Sequence, residues 1–147
     1  VRLVVVGSSS IRDPSLVEWA ILAYLHRTDT DLHDLQLITR SRPVGQMVGR
    51  WAERARISCF RVLPMLGSVV GGRTLGTPEM AVLGFMLRRP DNPAARPDAV
   101  LILWDGSCTL MRWFARRATE MLGADRVFAI RTGDLSLPQP KPITAVG

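Results

Sequence analysis

Two turns carry the residue types best suited to chemistry in this chain: Gly7-Ser8-Ser9-Ser10 and Asp105-Gly106-Ser107-Cys108-Thr109. Each ends a short apolar run, Leu3 to Val6 or Ala99 to Trp104, and each leads into a helical pattern. At the carboxyl end of a strand in a parallel α/β sheet, such a turn offers free backbone N–H groups and a helix N-terminus to an anion. Gly7 lets the backbone approach a ligand, and the hydroxyls of Ser8 and Ser9 are donors for phosphate oxygens. In the second turn, Gly106 has the same role as Gly7, and Ser107 or Thr109 is the candidate helix cap and phosphate donor. Asp105 is a candidate acceptor for a ribose hydroxyl, and Trp104 has a ring on which a base can stack.

Arginine's planar fork suits phosphate or carboxylate. Arg42 is the candidate charge-neutralising residue, and Arg12, Arg40 and Arg73 are secondary anion contacts, since all four follow strand ends or lie in a glycine-rich segment. Arg112, Arg116 and Arg117 share one helix face and read as its solvent side. The first turn is neither Gly-x-Gly-x-x-Gly nor a P-loop, so no dinucleotide or nucleoside triphosphate site follows from it. No catalytic set emerges: His26 and His33 lie at a helix end and in a loop, without a triad partner. Cys108 opens a helix, where a thiolate is favoured, but a small residue filling a tight turn is the simpler reading. Cys59 and Cys108 have no Cys-x-x-Cys or Cys/His spacing, so neither a metal nor a disulfide framework is expected, and no cofactor is implied.

Alternating strand and helix patterns position these turns. The spacing predicts strands over Arg2 to Val6, Leu35 to Ile38, Ser58 to Leu63, Ala99 to Trp104 and Val127 to Ile130. Between them, helices are predicted from Asp13-Pro14 to about His26, from Val44 to Ala55, over Thr77 to Leu87, and from Thr109 to Leu122 with Gly123 as the stop. Gly67, Gly71, Gly72 and Gly76 predict a flexible loop, and Pro90, Pro93 and Pro97 a surface loop. The expected fold is a three-layer α/β sandwich with a Rossmann-like parallel sheet of about five strands. It occupies residues 1–133, and 134–147 form a Pro-rich C-terminal tail.

At 147 residues and 47% hydrophobic, the chain suits a single domain with one sizeable core. Its apolar runs are too short to cross a membrane, and a strand beginning near Val1 leaves no space for a signal peptide, so a soluble cytoplasmic protein is expected. The net charge of +6 and isoelectric point near 10.9 suit a polyanion. Lys141 is the sole lysine and the arginines are spread along the chain, so nucleic acid is the disfavoured partner against a nucleotide-like small molecule. A homo-oligomer is compatible with the sequence.

Val4-Val5-Val6-Gly7-Ser8, Gly45-Gln46-Met47-Val48-Gly49-Arg50-Trp51-Ala52-Glu53 and Asp105-Gly106-Ser107-Cys108-Thr109 together resemble the SLOG superfamily. The likeness is to its small stand-alone YspA-type members, relatives of the lonely-guy and DprA proteins. The family's first turn commonly reads Gly-Ser-Arg-Asp, of which Gly7 and Ser8 match. Of its second-turn string, Gly-Gly-Ala-Arg-Gly-Ala-Asp, only Arg42 is kept. Of its Gly-Gly-x-Gly-Thr turn, Gly106 and Thr109 are kept, while Asp105 and Cys108 replace glycines. The resemblance implies that the first and fourth strands lie side by side, so that both turns flank one crevice that takes a nucleotide-derived ligand. The lonely-guy branch cleaves nucleotide N-glycosidic bonds with a glutamate three residues after that threonine, where this chain has Arg112. A cation there cannot stabilise positive charge developing on a sugar.

The expected function is therefore non-catalytic binding or sensing of a nucleotide-derived anion. Two alternatives are a nucleotide N-glycosidase or phosphoribosyl- or deoxyribosyl-transferase, and a nucleic-acid or protein interaction module whose pocket has decayed.

Overall fold

The computed structural model describes residues 1–62, 69–70, 73–74, 78–87 and 96–132. Strands β1 (Arg2–Gly7), β2 (Gln36–Arg40), β3 (Ser58–Val62), β6 (Ala99–Trp104) and β7 (Val127–Arg131) form one sheet in the order β3-β2-β1-β6-β7. Every pairing in it is parallel. Strands β4 (Val69–Val70) and β5 (Arg73–Thr74) form a separate antiparallel ribbon.

Leu3 to Val6 of β1 and Ala99 to Trp104 of β6 are unbroken apolar runs because both faces of the sheet are covered there. Leu3 and Val5 of β1, Leu37 of β2, and Leu101 and Leu103 of β6 face α1 (Pro14–Thr28) and α2 (Pro43–Ala55). Val4, Val6, Ile38, Val100 and Ile102 face α3 (Pro78–Met86) and α4 (Thr109–Leu122). Helix α2 lays Val44, Met47, Val48, Trp51 and Ala52 on the first core, as their spacing predicts. On the opposite face Phe114 of α4 is fully buried among Met111, Ala118 and the β6 valine and isoleucine. Burial of each such side chain contributes about 1.5–3 kcal/mol, which is what holds three layers together.

Helix ends follow local chemistry. The Asp13 carboxylate accepts the Ser15 N–H at 2.9 Å before the first-turn proline of α1. Gly123, with φ +96°, ends α4. The three-layer Rossmann-like fold is the one the sequence predicts. One correction concerns the glycine-rich segment, which contains the β4-β5 ribbon rather than only loop: two valines before Gly71-Gly72 are a hairpin signal. The predicted third-strand end at Leu63, the loop over 88–95 and the tail 134–147 lie outside the described residues.

The chain passes from the β3 edge across the sheet to β6. Strand order thus reverses between β1 and β6, and their carboxyl ends define the switch point where open α/β sheets take ligands.

Candidate functional site

The β1 turn is built to pack before it can bind. A Cβ on Gly7 would lie 2.6 Å from Val44 Cγ2 and 3.0 Å from the Leu103 carbonyl oxygen, so the missing side chain is what lets α2 and β6 close on the strand end. Ser8 is fully buried. Its N–H donates to the Leu103 carbonyl at 2.9 Å, and its Oγ accepts the Asp105 N–H at 3.0 Å. Ser9 is exposed and its carbonyl accepts Arg12 Nε at 3.1 Å. Ser10 Oγ donates to Asp105 Oδ2 at 2.7 Å. Two turns far apart in sequence are therefore tied by one serine on each side of Ser9.

Asp105 is the hub of that tie. Its Oδ1 accepts the Ser107 N–H at 2.8 Å, the Cys108 N–H at 2.8 Å and the Ser107 hydroxyl at 3.2 Å. The Ser10 hydroxyl, then the Ser107 N–H, hold the carboxyl well below the usual carboxylate range. Burial opposes them, and the remaining Cys108 and Ser107 donors add to the lowering. The residue at the N-cap of α4 is Cys108, without a side-chain cap bond. Neither Ser107 nor Thr109 is the cap: α4 begins at Thr109, and Ser107 lies one residue before the cap with its hydroxyl turned to Asp105. Thr109 is the first helical residue and, like Ser107, is exposed. Gly106 has φ +91°, and a Cβ on it would lie 2.8 Å from Arg131 Nε. Glycine here permits both the left-handed turn and the approach of Arg131.

Trp104 is half-buried, and its Nε1 donates to the Cys108 carbonyl at 3.0 Å. Two guanidinium groups lie over its ring, Arg112 at 5.8 Å and Arg131 at 5.7 Å from the centroid. The sheet register makes the second contact, since Trp104 and Arg131 are paired residues of β6 and β7. Thr132 Oγ1 donates to the Trp104 carbonyl at 3.2 Å and holds the end of β7 in place. Arg112 is thus not merely part of the solvent face of α4. Arg116 and Arg117 are exposed as expected, and Arg117 pairs with Glu120 at 3.5 Å.

The other arginines spread along the same sheet edge and beyond it. Arg42 is exposed at the start of α2, where its carbonyl accepts the Gln46 N–H at 2.8 Å. Arg40, 4% exposed, is buried at the end of β2, where the pleat puts it on the α3 and α4 side with Ile38. Arg12 folds back on its own turn, and Arg73 belongs to the β5 strand of the ribbon.

The structure therefore brings together Gly7, Ser8, Trp104, Asp105, Gly106, Ser107 and Thr109, with Ser9 and Arg42 on the rim. In the sequence Ser10 stands out only as part of the first turn, with no role of its own, Arg131 is not marked, and Arg112 reads as part of the solvent face of α4. The signal for Arg131 was its position at the end of the strand paired with β6. Among the described residues, no group of three His, Cys, Asp or Glu side chains is placed to hold a metal ion. A cavity of about 470 Å³ lies away from these turns beside the edge strand β3, lined by Gly49, Ala52, Glu53, Ile57, Cys59 and Arg61. Burial raises the Cys59 thiol there, against the opposing pull of Arg61. No helix among the described residues is long and apolar enough to cross a membrane.

Comparison with known proteins found no matching protein family, no matching curated protein and no matching solved structure.

Proposed function

We propose that the protein binds or senses a nucleotide-derived anionic small molecule at the carboxyl edge of its sheet, between β1 and β6, without transforming it. The observation that carries this reading is the joining of the two switch-point turns through Ser8, Ser10 and Asp105. Binding sites are stronger when their parts are fixed before the ligand arrives, and these bonds fix both turns at the place where strand order reverses. Gly106, Ser107 and Thr109 then present the start of α4 to a phosphate, and Arg42 adds positive charge from the neighbouring helix. Ser8 acts by holding the Asp105 backbone rather than by touching the ligand. Asp105 keeps its outer oxygen for Ser10 and retains one lone pair there for a ribose hydroxyl. The SLOG resemblance agrees with this reading and is proposed with it.

Thermal denaturation against a panel of nucleotides and signalling dinucleotides tests the proposal. A ligand at about one hundred times its Kd stabilises by about 2.7 kcal/mol, a readily measured rise in Tm. Thr109→Asp, an exposed change at the first helical position of α4 that sets a negative charge beside the proposed phosphate, should abolish that rise while leaving the unliganded Tm nearly unchanged. A panel with no stabilising nucleotide overturns the proposal. Release of free base from a nucleoside monophosphate would replace it with an enzymatic function.

A further inference from the structure

We infer that β3 pairs antiparallel with β3 of a second copy of this chain, about a two-fold axis at Phe60, so that the two sheets join edge to edge. The inference is independent of the binding reading, since the switch point lies between β1 and β6. Strand β3 ends the order β3-β2-β1-β6-β7, and among the described residues no strand pairs with its outer side. The outward backbone groups of such an edge are a template for another strand. Proline, lysine and glycine, which blunt natural edges, are absent from Ser58-Cys59-Phe60-Arg61-Val62, where Arg61 is the single charge. Phe60 is 52% exposed, so the sheet ends in an uncovered aromatic ring.

A second copy is the occupant because this edge is complementary to itself. A two-fold axis sets the strands antiparallel, and residues directly opposite in such a pair share a face of the sheet. With the axis at Phe60, the two rings meet on one face as a cross-strand aromatic pair. On the other face Arg61 of each copy falls opposite Cys59 of the other. Cys59 lines the cavity of about 470 Å³ together with Glu53 of α2, so the incoming guanidinium enters beside a carboxylate. Glu53 and Arg61 are both exposed, and no ion pair joins them within one chain. Arg61 instead lies against α2 one turn before Glu53, where a Cβ on Gly49 would be 2.6 Å from its Nη2. The register follows from the same residues. An axis at Arg61 would set two cations opposite each other, and an axis at Cys59 would spend Phe60 on Ser58 and Arg61 on Ile57.

Sedimentation equilibrium of the whole chain tests the pairing, with circular dichroism of each variant to confirm folding. Wild-type protein should dimerise. Phe60→Lys, which sets two cations opposite each other at the axis, should weaken the dimer by about ten-fold or more. Arg61→Glu and Glu53→Arg, each of which puts like charges together across the axis, should each weaken it similarly. An equal mixture of these two variants should recover dimerisation, because opposite charges then meet between copies; no contact within one chain reproduces that recovery. Arg116→Glu, an exposed charge reversal on α4, should leave association unchanged. A chain that stays monomeric up to about 0.1 mM overturns the inference. So does a dimer indifferent to Phe60→Lys, or a mixture that associates no better than its two components.

Discussion

Replacing Asp105 by alanine removes the hub that joins the two turns, and its cost can be worked from the bonds it makes. Its Oδ1 accepts the N–H groups of Ser107 and Cys108, which precede the first helical residue of α4, and losing that common acceptor in a half-exposed turn costs about 1 kcal/mol. The tie from Ser10 is charge-assisted and would contribute about 1.5–3 kcal/mol if fully desolvated. On a half-exposed carboxylate, solvent screening reduces it to about 1 kcal/mol. Asp105→Ala should therefore destabilise by about 2 kcal/mol, or roughly 6 °C in Tm for a chain of this size. Asp105→Asn keeps an oxygen for the Ser107 and Cys108 N–H groups, and the Ser10 hydroxyl can reverse to accept from the amide. Its cost should stay below about 1 kcal/mol.

The same contacts give a pH dependence of known sign. The folded carboxyl is held below its ordinary value, so its contribution is fully present above the unfolded pKa of about 3.9. As the pH falls further, the unfolded chain takes up the proton first and the contribution is lost. Urea denaturation of wild type and Asp105→Ala between pH 7 and pH 2 should show a stability gap that is constant down to about pH 5 and shrinks below pH 4. A gap at neutral pH under about 0.5 kcal/mol, or one that persists undiminished in acid, would refute the hub.

Three further outcomes follow from the packing. A Cβ on Gly45 would collide with the Arg40 carbonyl oxygen, so Gly45→Ala must push α2 off the end of β2; a loss of about 3 kcal/mol in urea denaturation is expected, and a near-neutral variant would show that α2 sits further out. Thr39→Val removes the buried hydroxyl that donates to the Val5 carbonyl at 2.8 Å and should cost about 1–2 kcal/mol without changing the circular dichroism spectrum. Phe114→Ala empties a fully buried site under α4 and should cost about 3–5 kcal/mol in the same denaturation assay.

The fold was legible because its signals are local and repeated. Apolar runs such as Leu3 to Val6 and Ala99 to Trp104 need cover on both faces, and the stripe from Val44 to Ala55 needs a sheet beneath it. Asp13-Pro14 and Gly123 then mark helix ends by chemistry that acts over a few residues. The site was legible only in part. Its two turns stand out in sequence, but Ser10 and Asp105 are 95 residues apart and their hydrogen bond is a product of strand pairing. The assignment of Ser107 or Thr109 as the cap of α4 failed for a related reason. The helix starts at Thr109, which leaves Cys108 at the cap, and the Ser107 hydroxyl is drawn to the Asp105 carboxylate two residues earlier, across the left-handed turn at Gly106.

The sequence by itself determined a parallel α/β sandwich and the two strand-ending turns, because periodicity, prolines and glycines act within a few residues of the chain. Tertiary structure decided what those turns are made of. The β1-β6 register turned Ser8 into a buried latch, and the β6-β7 register set Arg131 against Trp104. Such pairings depend on which strands become neighbours and in what alignment, and a shift of one residue would send every one of these side chains to the other face.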